Sequence, residues 1–341
     1  MELTAGKLWG LRRIADADGR FAIVAADQRP PIENLVSQRR GGETPWSDVA
    51  NVKRIIIEQF APMTSAVLVD PYYGFPAAYE AIDPGRGLLL TLESSRFVED
   101  DLGRRSSQIG DWSVDKIKRT GADAVKALAW FRPDAPAQTV EHQQRFVEEI
   151  GQACRRFDIP FVFELLDYPL PHDDETAPSG RIDRVVDSVA AFADPRFGVD
   201  LFKLESPILP ADVPDLGSPG SQEALEAFAR LDEASPRPWV MLSAGAGKTD
   251  FINVLRHAYA AGASGYLAGR AIWWDAFQRF PDLEAFSTEL STSGAGYVEQ
   301  LNALTAESAL PWFTHRCFGD TGPVLGDATS TFRNTYRAFD R

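Results

Sequence analysis

Histidine and cysteine are scarce: the 341 residues include four histidines and two cysteines. His142 and His257 fall within helical patterns, His172 in a loop and His315 near the C-terminus, and no two have ligand spacing. A catalytic zinc takes several histidines around one cation, so no metal is expected, and no other cofactor is expected either. Cys154 and Cys317 lie far apart in no paired motif, which fits a reduced, cytoplasmic protein better than a disulfide scaffold. No uninterrupted apolar run approaches the roughly 20 residues of a membrane span, and the opening M-E-L-T-A-G-K-L-W-G has no apolar signal core. Positive charge is also short. The 35 Lys and Arg face 49 Asp and Glu, a net charge of −14 that argues against nucleic acid or an anionic membrane as partner. An anionic small substrate would need only a local basic pocket. Finally, S-A-G-A-G-K-T-D (243–250) is not a P-loop. That pattern requires glycine five residues before Gly247, where Leu242 stands, and Lys248 reads instead as a solvated residue near a helix start.

What the chain does have is 44% hydrophobic residues, ample for a buried core. Eight short apolar, β-branched runs recur: 21–27, 66–70, 87–93, 124–131, 160–168, 199–204, 238–245 and 265–270. Amphipathic stretches such as 136–157, 181–193, 221–234 and 249–261 separate several of them. Ser47 with Asp48 and Thr249 with Asp250 read as helix starts, and the Gly-Ala pairs at 121–122 and 262–263 as helix ends. Near-continuous apolar strands interleaved with helices require a parallel sheet covered on its faces. Eight such units without a break predict an α/β fold, a single (β/α)8 TIM barrel spanning 1–341 with extra C-terminal helices over 276–341. A doubly wound open sheet is the alternative, but it needs a linker or a switch in strand order that the sequence does not show. The polar segment 94–110 and the Pro/Gly-rich segment 207–220 read as loops.

Lys203 is the residue out of place. It sits in V-D-L-F-K-L-E-S-P (199–207), an otherwise buried strand, and Lys126 repeats the pattern in A-V-K-A-L-A-W-F (124–131). A desolvated ammonium needs a partner or a lowered pKa, and a lysine with a lowered pKa is a nucleophile for carbonyl substrates. Barrel strands converge their carboxyl-terminal ends on one mouth, and Asp27, Asp70, Glu93, Glu164, Lys203 and Ser243 fall near such ends. The functional reading makes Lys203 a Schiff-base nucleophile, with Lys126 as the cation that keeps it partly deprotonated. Two structural ion pairs, each lysine satisfied by Asp27 or Glu164, are the alternative. Glu164, flanked by Phe163 and Leu165, is expected to have a raised carboxyl pKa and to take the substrate hydroxyl proton, or else to act as a lysine's counter-ion. Asp27 begins D-Q-R (27–29) and can orient substrate hydroxyls, or serve as a helix cap or ion-pair partner. The seventh and eighth strands end in L-S-A-G (242–245) and L-A-G-R (267–270), where phosphate sites form in barrels, and Arg270 adds forked donors.

Longer motifs carry a family resemblance. A-A-D-Q-R (25–29), L-V-D-P-Y-Y-G-F-P-A (68–77), T-G-A-D-A-V-K (120–126), F-A-D-P-R-F-G-V-D-L-F-K-L-E-S-P (192–207), P-W-V-M-L-S-A-G (238–245) and A-G-A-S-G-Y-L-A-G-R-A-I-W (261–273) resemble class I tagatose-1,6-bisphosphate aldolases of the lactose-catabolic type, with sulfofructosephosphate aldolases as relatives. The resemblance implies that Lys203 forms the Schiff base and Glu164 acts as general acid/base. It also implies that Asp27, Gln28 and Lys126 contact the ketose carbons, while Ser243, Gly245, Gly269 and Arg270 hold a phosphate. Departures gather where the aldehyde half should bind: D-Q-R-P-P (27–31), A-W-F-R-P-D (129–134) and the loop 166–175. Arg29 and Arg132 are candidate partners for a distal phosphate or sulfonate, with surface ion pairing as the alternative for both. The expected partner is a phosphorylated or sulfonated ketose, and the chain is expected to form a homo-oligomer. A non-catalytic sugar-phosphate-binding barrel is the competing class, against which Lys203, Lys126, Glu164 and Asp27 together speak.

Overall fold

The computed structural model describes residues 1–171, 173 and 180–339. Eight parallel strands run in chain order around a closed barrel: β1 (Phe21–Ala25), β2 (Ala66–Val69), β3 (Gly87–Thr91), β4 (Ala124–Trp130), β5 (Phe161–Leu166), β6 (Leu201–Leu204), β7 (Trp239–Met241) and β8 (Gly265–Ala268). β8 closes on β1 through Gly265 opposite Phe21 to Ala268 opposite Val24. Closure leaves no sheet edge, and it rules out the open doubly wound sheet. Each strand is shorter than its apolar run: seven end before the run does, the surplus residues passing into the mouth, while β6 ends with its run at Leu204 and starts two residues later.

The core divides in two, as strand alternation requires. Phe21, Ile23, Ala25, Ala66, Leu68, Leu89, Ala124, Val162, Leu201, Val240 and Leu267 fill the barrel, together with Leu11 and Ile14 from the helix Ala5–Ile14 and with Trp312. The intervening residues, among them Val67, Val125, Phe161, Phe163, Phe202 and Met241, face the helices and form the larger outer core. Phe163 packs edge-on to Phe192 at 4.9 Å, and a buried side chain of this size stabilises the fold by about 1.5–3 kcal/mol. Inside the barrel, the residue two places beyond Ala124, Val162 and Leu201 is Lys126, Glu164 and Lys203 respectively. An apolar floor therefore carries an ionic layer.

The helices follow the amphipathic stretches at Ala137–Arg156, Arg181–Ala190, Ser221–Ala234 and Lys248–Ala261. Two starts differ slightly: the helix expected from Ser47 runs Trp46–Phe60 after Pro45, and the helix expected from Thr249 opens at Lys248 after Gly247. Segment 94–110 is more ordered than expected, holding an antiparallel hairpin of Val98–Asp100 and Gly103–Arg105. No apolar alternation announces it. The cross-strand pairs Arg104–Glu99 (2.7 Å) and Arg105–Asp100 hold it, with Arg104 laid over Phe97, Trp130 and Tyr168. Beyond the barrel, Ala295–Ser308 packs on the helices Trp46–Phe60 and Lys248–Ala261, and Asn302 links Tyr266 of β8 to the Met63 carbonyl. No described helix is long and apolar enough to cross a membrane.

Candidate active site

The ionic layer lies at the carboxyl-terminal mouth of β1 and β3–β6. The ladder sets Glu164 of β5 directly opposite Lys203 of β6, and Lys126 of β4 opposite Val162, one inward position below Glu164. Glu164 Oε2 is 2.8 Å from Lys126 Nζ and 2.8 Å from Lys203 Nζ. Lys126 Nζ also donates to Asp27 Oδ2 at 3.0 Å and to Glu93 Oε1 at 2.7 Å. Thus Lys203 has a partner, and one carboxylate oxygen bridges the two amines. All five side chains are at most 8% exposed, so these charges meet with little screening.

Burial pushes the Glu164 carboxyl up, but the Lys126 and Lys203 ammonium groups outweigh it and hold the group below its ordinary value. This corrects the expectation of a raised carboxyl. Phe163 and Leu165 are neighbours in sequence only; alternation turns both into the outer core while Glu164 faces two cations. Asp27 follows the same logic, with burial overcome by Lys126 and Lys203, so its carboxyl lies far below the usual range. For Lys126, burial pulls the ammonium down, yet Asp27, Glu164 and Glu93 together raise it well above an ordinary lysine. Lys126 is a fixed cation and Glu164 a resting base.

Asp27 Oδ1 and Gln28 Oε1 are buried without a hydrogen-bond partner, so two acceptors at the end of β1 are left for a ligand. The Gln28 amide reaches the end of β8, where a Cβ on Gly269 would stand 2.7 Å from Gln28 Nε2 and 2.6 Å from the Ala25 carbonyl; only glycine admits that approach. Gly245 has φ +80°, and the Arg270 guanidinium carbon lies 3.5 Å from where its Cβ would be. Ser243 is buried at the end of β7, and Arg270 opens the helix Arg270–Phe277. Ser243, Gly245, Gly269 and Arg270 thus all lie beyond the ends of β7 and β8, with the Arg270 guanidinium against Gly245.

Other positions differ from expectation. Asp70 turns out of the mouth to Lys53 of the helix Trp46–Phe60, and accepts from the Tyr72, Tyr73 and Gly74 amides. Arg132 is 3% exposed, pairs with Asp134 (2.7 Å) and Asp173 (2.6 Å) and donates to the Tyr168 carbonyl at 3.1 Å. Arg29 reaches the mouth but lies against Glu93, donating to its carbonyl at 3.0 Å with Nη2 3.5 Å from Oε1, and of its nitrogens Nε has no partner. Arg132 thus takes the ion-pairing alternative, with carboxylates that are 54% and 37% exposed, whereas the Arg29–Glu93 pair is buried on both sides. Lys248 is not simply solvated: it bonds Ser293 at 3.0 Å over the Tyr297 ring. Glu93, to which the sequence attaches no role, joins the cluster through Lys126. Its signal was present, an acid two residues past the inward Thr91 at the end of β3. His142 bonds the Ser106 carbonyl and buried His257 the Asn253 carbonyl, while His172 lies outside the described residues. Among the described residues no His, Cys, Asp and Glu cluster has metal-site geometry.

Residues 21–275 match the model of the DeoC/LacD family aldolases. The chain is 33% identical over 329 residues to a tagatose 1,6-diphosphate aldolase of Listeria monocytogenes, covering 92% of this chain and 96% of that protein. It is 32% identical over 328 residues to tagatose 1,6-diphosphate aldolase 2 of Streptococcus mutans, covering 92% and 98%. Among solved structures, an archaeal fructose-1,6-bisphosphate aldolase with its catalytic lysine bound to a carbinolamine intermediate shares the fold at TM-score 0.56 and 18% identity, over 87% of this chain and 98% of that one. The Plasmodium falciparum fructose-bisphosphate aldolase superposes at TM-score 0.65 and 11% identity, over 91% and 97%.

Proposed function

Since this chain belongs to the DeoC/LacD family of aldolases, we propose that it is a metal-independent class I aldolase that cleaves a phosphorylated ketose, tagatose 1,6-bisphosphate first among them. The observation that carries this reading is the single Glu164 oxygen 2.8 Å from both buried amines, which puts a base beside a nucleophile.

The chemistry follows from that geometry. Lys203 Nζ, having passed a proton to Glu164, attacks the C2 carbonyl. Glu164 returns the proton to the carbinolamine hydroxyl, which leaves as water, and a protonated imine remains. The carboxylate, ionised again, takes the C4 hydroxyl proton. The C3–C4 bond breaks, the aldehyde departs and the electron pair collapses into the imine as an enamine. Protonation at C3 and hydrolysis release dihydroxyacetone phosphate and free Lys203. Tagatose 1,6-bisphosphate would give glyceraldehyde 3-phosphate as the aldehyde. Lys126 supplies the fixed positive charge that keeps Glu164 a base. The unpartnered oxygens of Asp27 and Gln28 suit substrate hydroxyls, and Arg29 keeps its buried Nε unpartnered beside them. Ser243, Gly245, Gly269 and Arg270 would together take the dihydroxyacetone-phosphate phosphate. A cytoplasmic homo-oligomer completes the reading: free Cys154 and Cys317 fit a reducing compartment, and native mass tests the assembly.

Borohydride reduction with dihydroxyacetone phosphate, followed by peptide mass analysis, tests the mechanism. An adduct on Lys203, lost in Lys203→Met together with at least about 10³-fold of the cleavage rate, is expected. Unmodified, well-folded wild-type protein would overturn the class I reading in favour of a binding role.

A further inference from the structure

We infer that Glu93 is a positioning residue for this reaction, which with Arg29 clamps the Lys126 ammonium between Asp27 and Glu164 and balances the charge of this ion-paired cluster. The inference rests on the aldolase reading above.

Glu93 stands two residues beyond β3 and is 4% exposed. Its Oε1 accepts from Lys126 at 2.7 Å, and its Oε2 accepts from the Thr91 hydroxyl at 2.5 Å. Its carbonyl accepts from Arg29 Nη1 at 3.0 Å, and Gln108 bridges its backbone. Both carboxylate oxygens are thus committed to the protein, whereas Asp27 keeps Oδ1 unpartnered. The carboxylates divide the labour. Asp27 and Glu164 face the reacting centre, and Glu93 grips the lysine from behind.

Charge arithmetic gives the clamp its consequence. Lys126, Lys203 and Arg29 supply three positive charges, and Asp27, Glu93 and Glu164 three negative ones, so this ion-paired cluster is neutral, with Arg270 standing outside it at the end of β8. Around it, Lys53 and Asp70 pair between the strands and the helix Trp46–Phe60, Asp167 beyond β5 pairs with Arg184, and Glu205 beyond β6 pairs with Arg181. Removing Glu93 leaves one surplus positive charge, which makes every titrating group of the cluster release its proton more readily. Removing Arg29 leaves one surplus negative charge, with the opposite effect. The direction holds whichever group governs the rate, because all sit in one poorly screened cluster.

Three variants carry the test: Glu93→Gln, Glu93→Asp and Arg29→Met, each shown folded by its thermal transition. The readouts are the pH dependence of kcat/KM for ketose-bisphosphate cleavage and borohydride trapping with dihydroxyacetone phosphate. Glu93→Gln is expected to move the acid limb down by about one pH unit and Arg29→Met to move it up by about as much, roughly the effect of one charge at contact distance. Glu93→Gln should lower kcat with little change in KM, since Glu93 reaches no substrate. Glu93→Asp should restore the limb but not the full rate, because the charge returns on a shorter arm. Limbs that stay in place, or that move together, would reduce Glu93 to a structural prop. A wild-type protein that traps no adduct would instead sink the aldolase reading, a failure visible before any variant is made.

Discussion

Two of the buried lysine–carboxylate clusters of this barrel, one behind the sheet and one at its mouth, differ in completeness. Lys53 and Asp70, both fully buried between the sheet and the helix Trp46–Phe60, satisfy one another. The ammonium also donates to the Ala26 carbonyl at 2.9 Å, and the carboxylate accepts from three backbone amides at 2.9–3.3 Å. The mouth cluster has two lysines and three carboxylates joined through shared atoms, and Asp27 Oδ1 and Gln28 Oε1 are left over. A closed pair of this kind has no vacancy for a substrate and so belongs to the fold. The open cluster keeps bonding capacity in reserve, and there the chemistry can occur.

The contrast is broken most severely at its open end. Glu164→Gln keeps the shape of the bridge but removes the base, so cleavage should fall by about 10²–10⁴-fold while the protein stays folded. Comparable loss from Lys53→Met, measured in folded protein, would erase the distinction between the two clusters. Lys53→Met should instead act on stability. It leaves Asp70 buried without its cation, at a cost of about 3–5 kcal/mol in urea unfolding, with imine trapping intact below the melting transition.

Acid sharpens the comparison further. Asp27 and Glu164 have folded carboxyl values below those of the unfolded chain, 3.8 and 4.5, so in acid the unfolded state binds protons first. Their contribution to stability is complete above those unfolded values and is lost as the pH falls through the folded ones. Urea midpoints taken from about pH 6 to about pH 3 should therefore drop less in Glu164→Gln than in the wild type. The smallest effect is reserved for Lys248→Ala, on the outer side of the barrel. A change within about 0.5 kcal/mol in stability is expected, and no nucleotide affinity to lose.

Much of this was legible along the chain. Apolar runs announced the eight strands, and a charged residue inside such a run announced Lys126, Glu164 and Lys203, because a buried charge has few reasons to be there. Arg132, Arg29 and Asp70 were legible as charges but not as partners. Arg132 closes on Asp173, forty-one residues away, Arg29 on Glu93, sixty-four away, and Asp70 faces backward to the preceding helix. The hairpin of Val98–Asp100 and Gly103–Arg105 escaped notice because ion pairs and stacking on Arg104, not apolar alternation, hold it.

The sequence by itself determined the period-two alternation, and with it that Lys126, Glu164 and Lys203 share the inner face of the strands above an apolar floor. It determined also that few histidines were present to bind a metal. Only the tertiary structure decided that one Glu164 oxygen meets both lysines, that Glu93 and Asp27 join them, and that the Glu164 carboxyl is lowered rather than raised. The reason is physical: alternation is a local property of an extended chain, while contact across strands depends on barrel closure and register, and a pKa follows the charges a group meets in space.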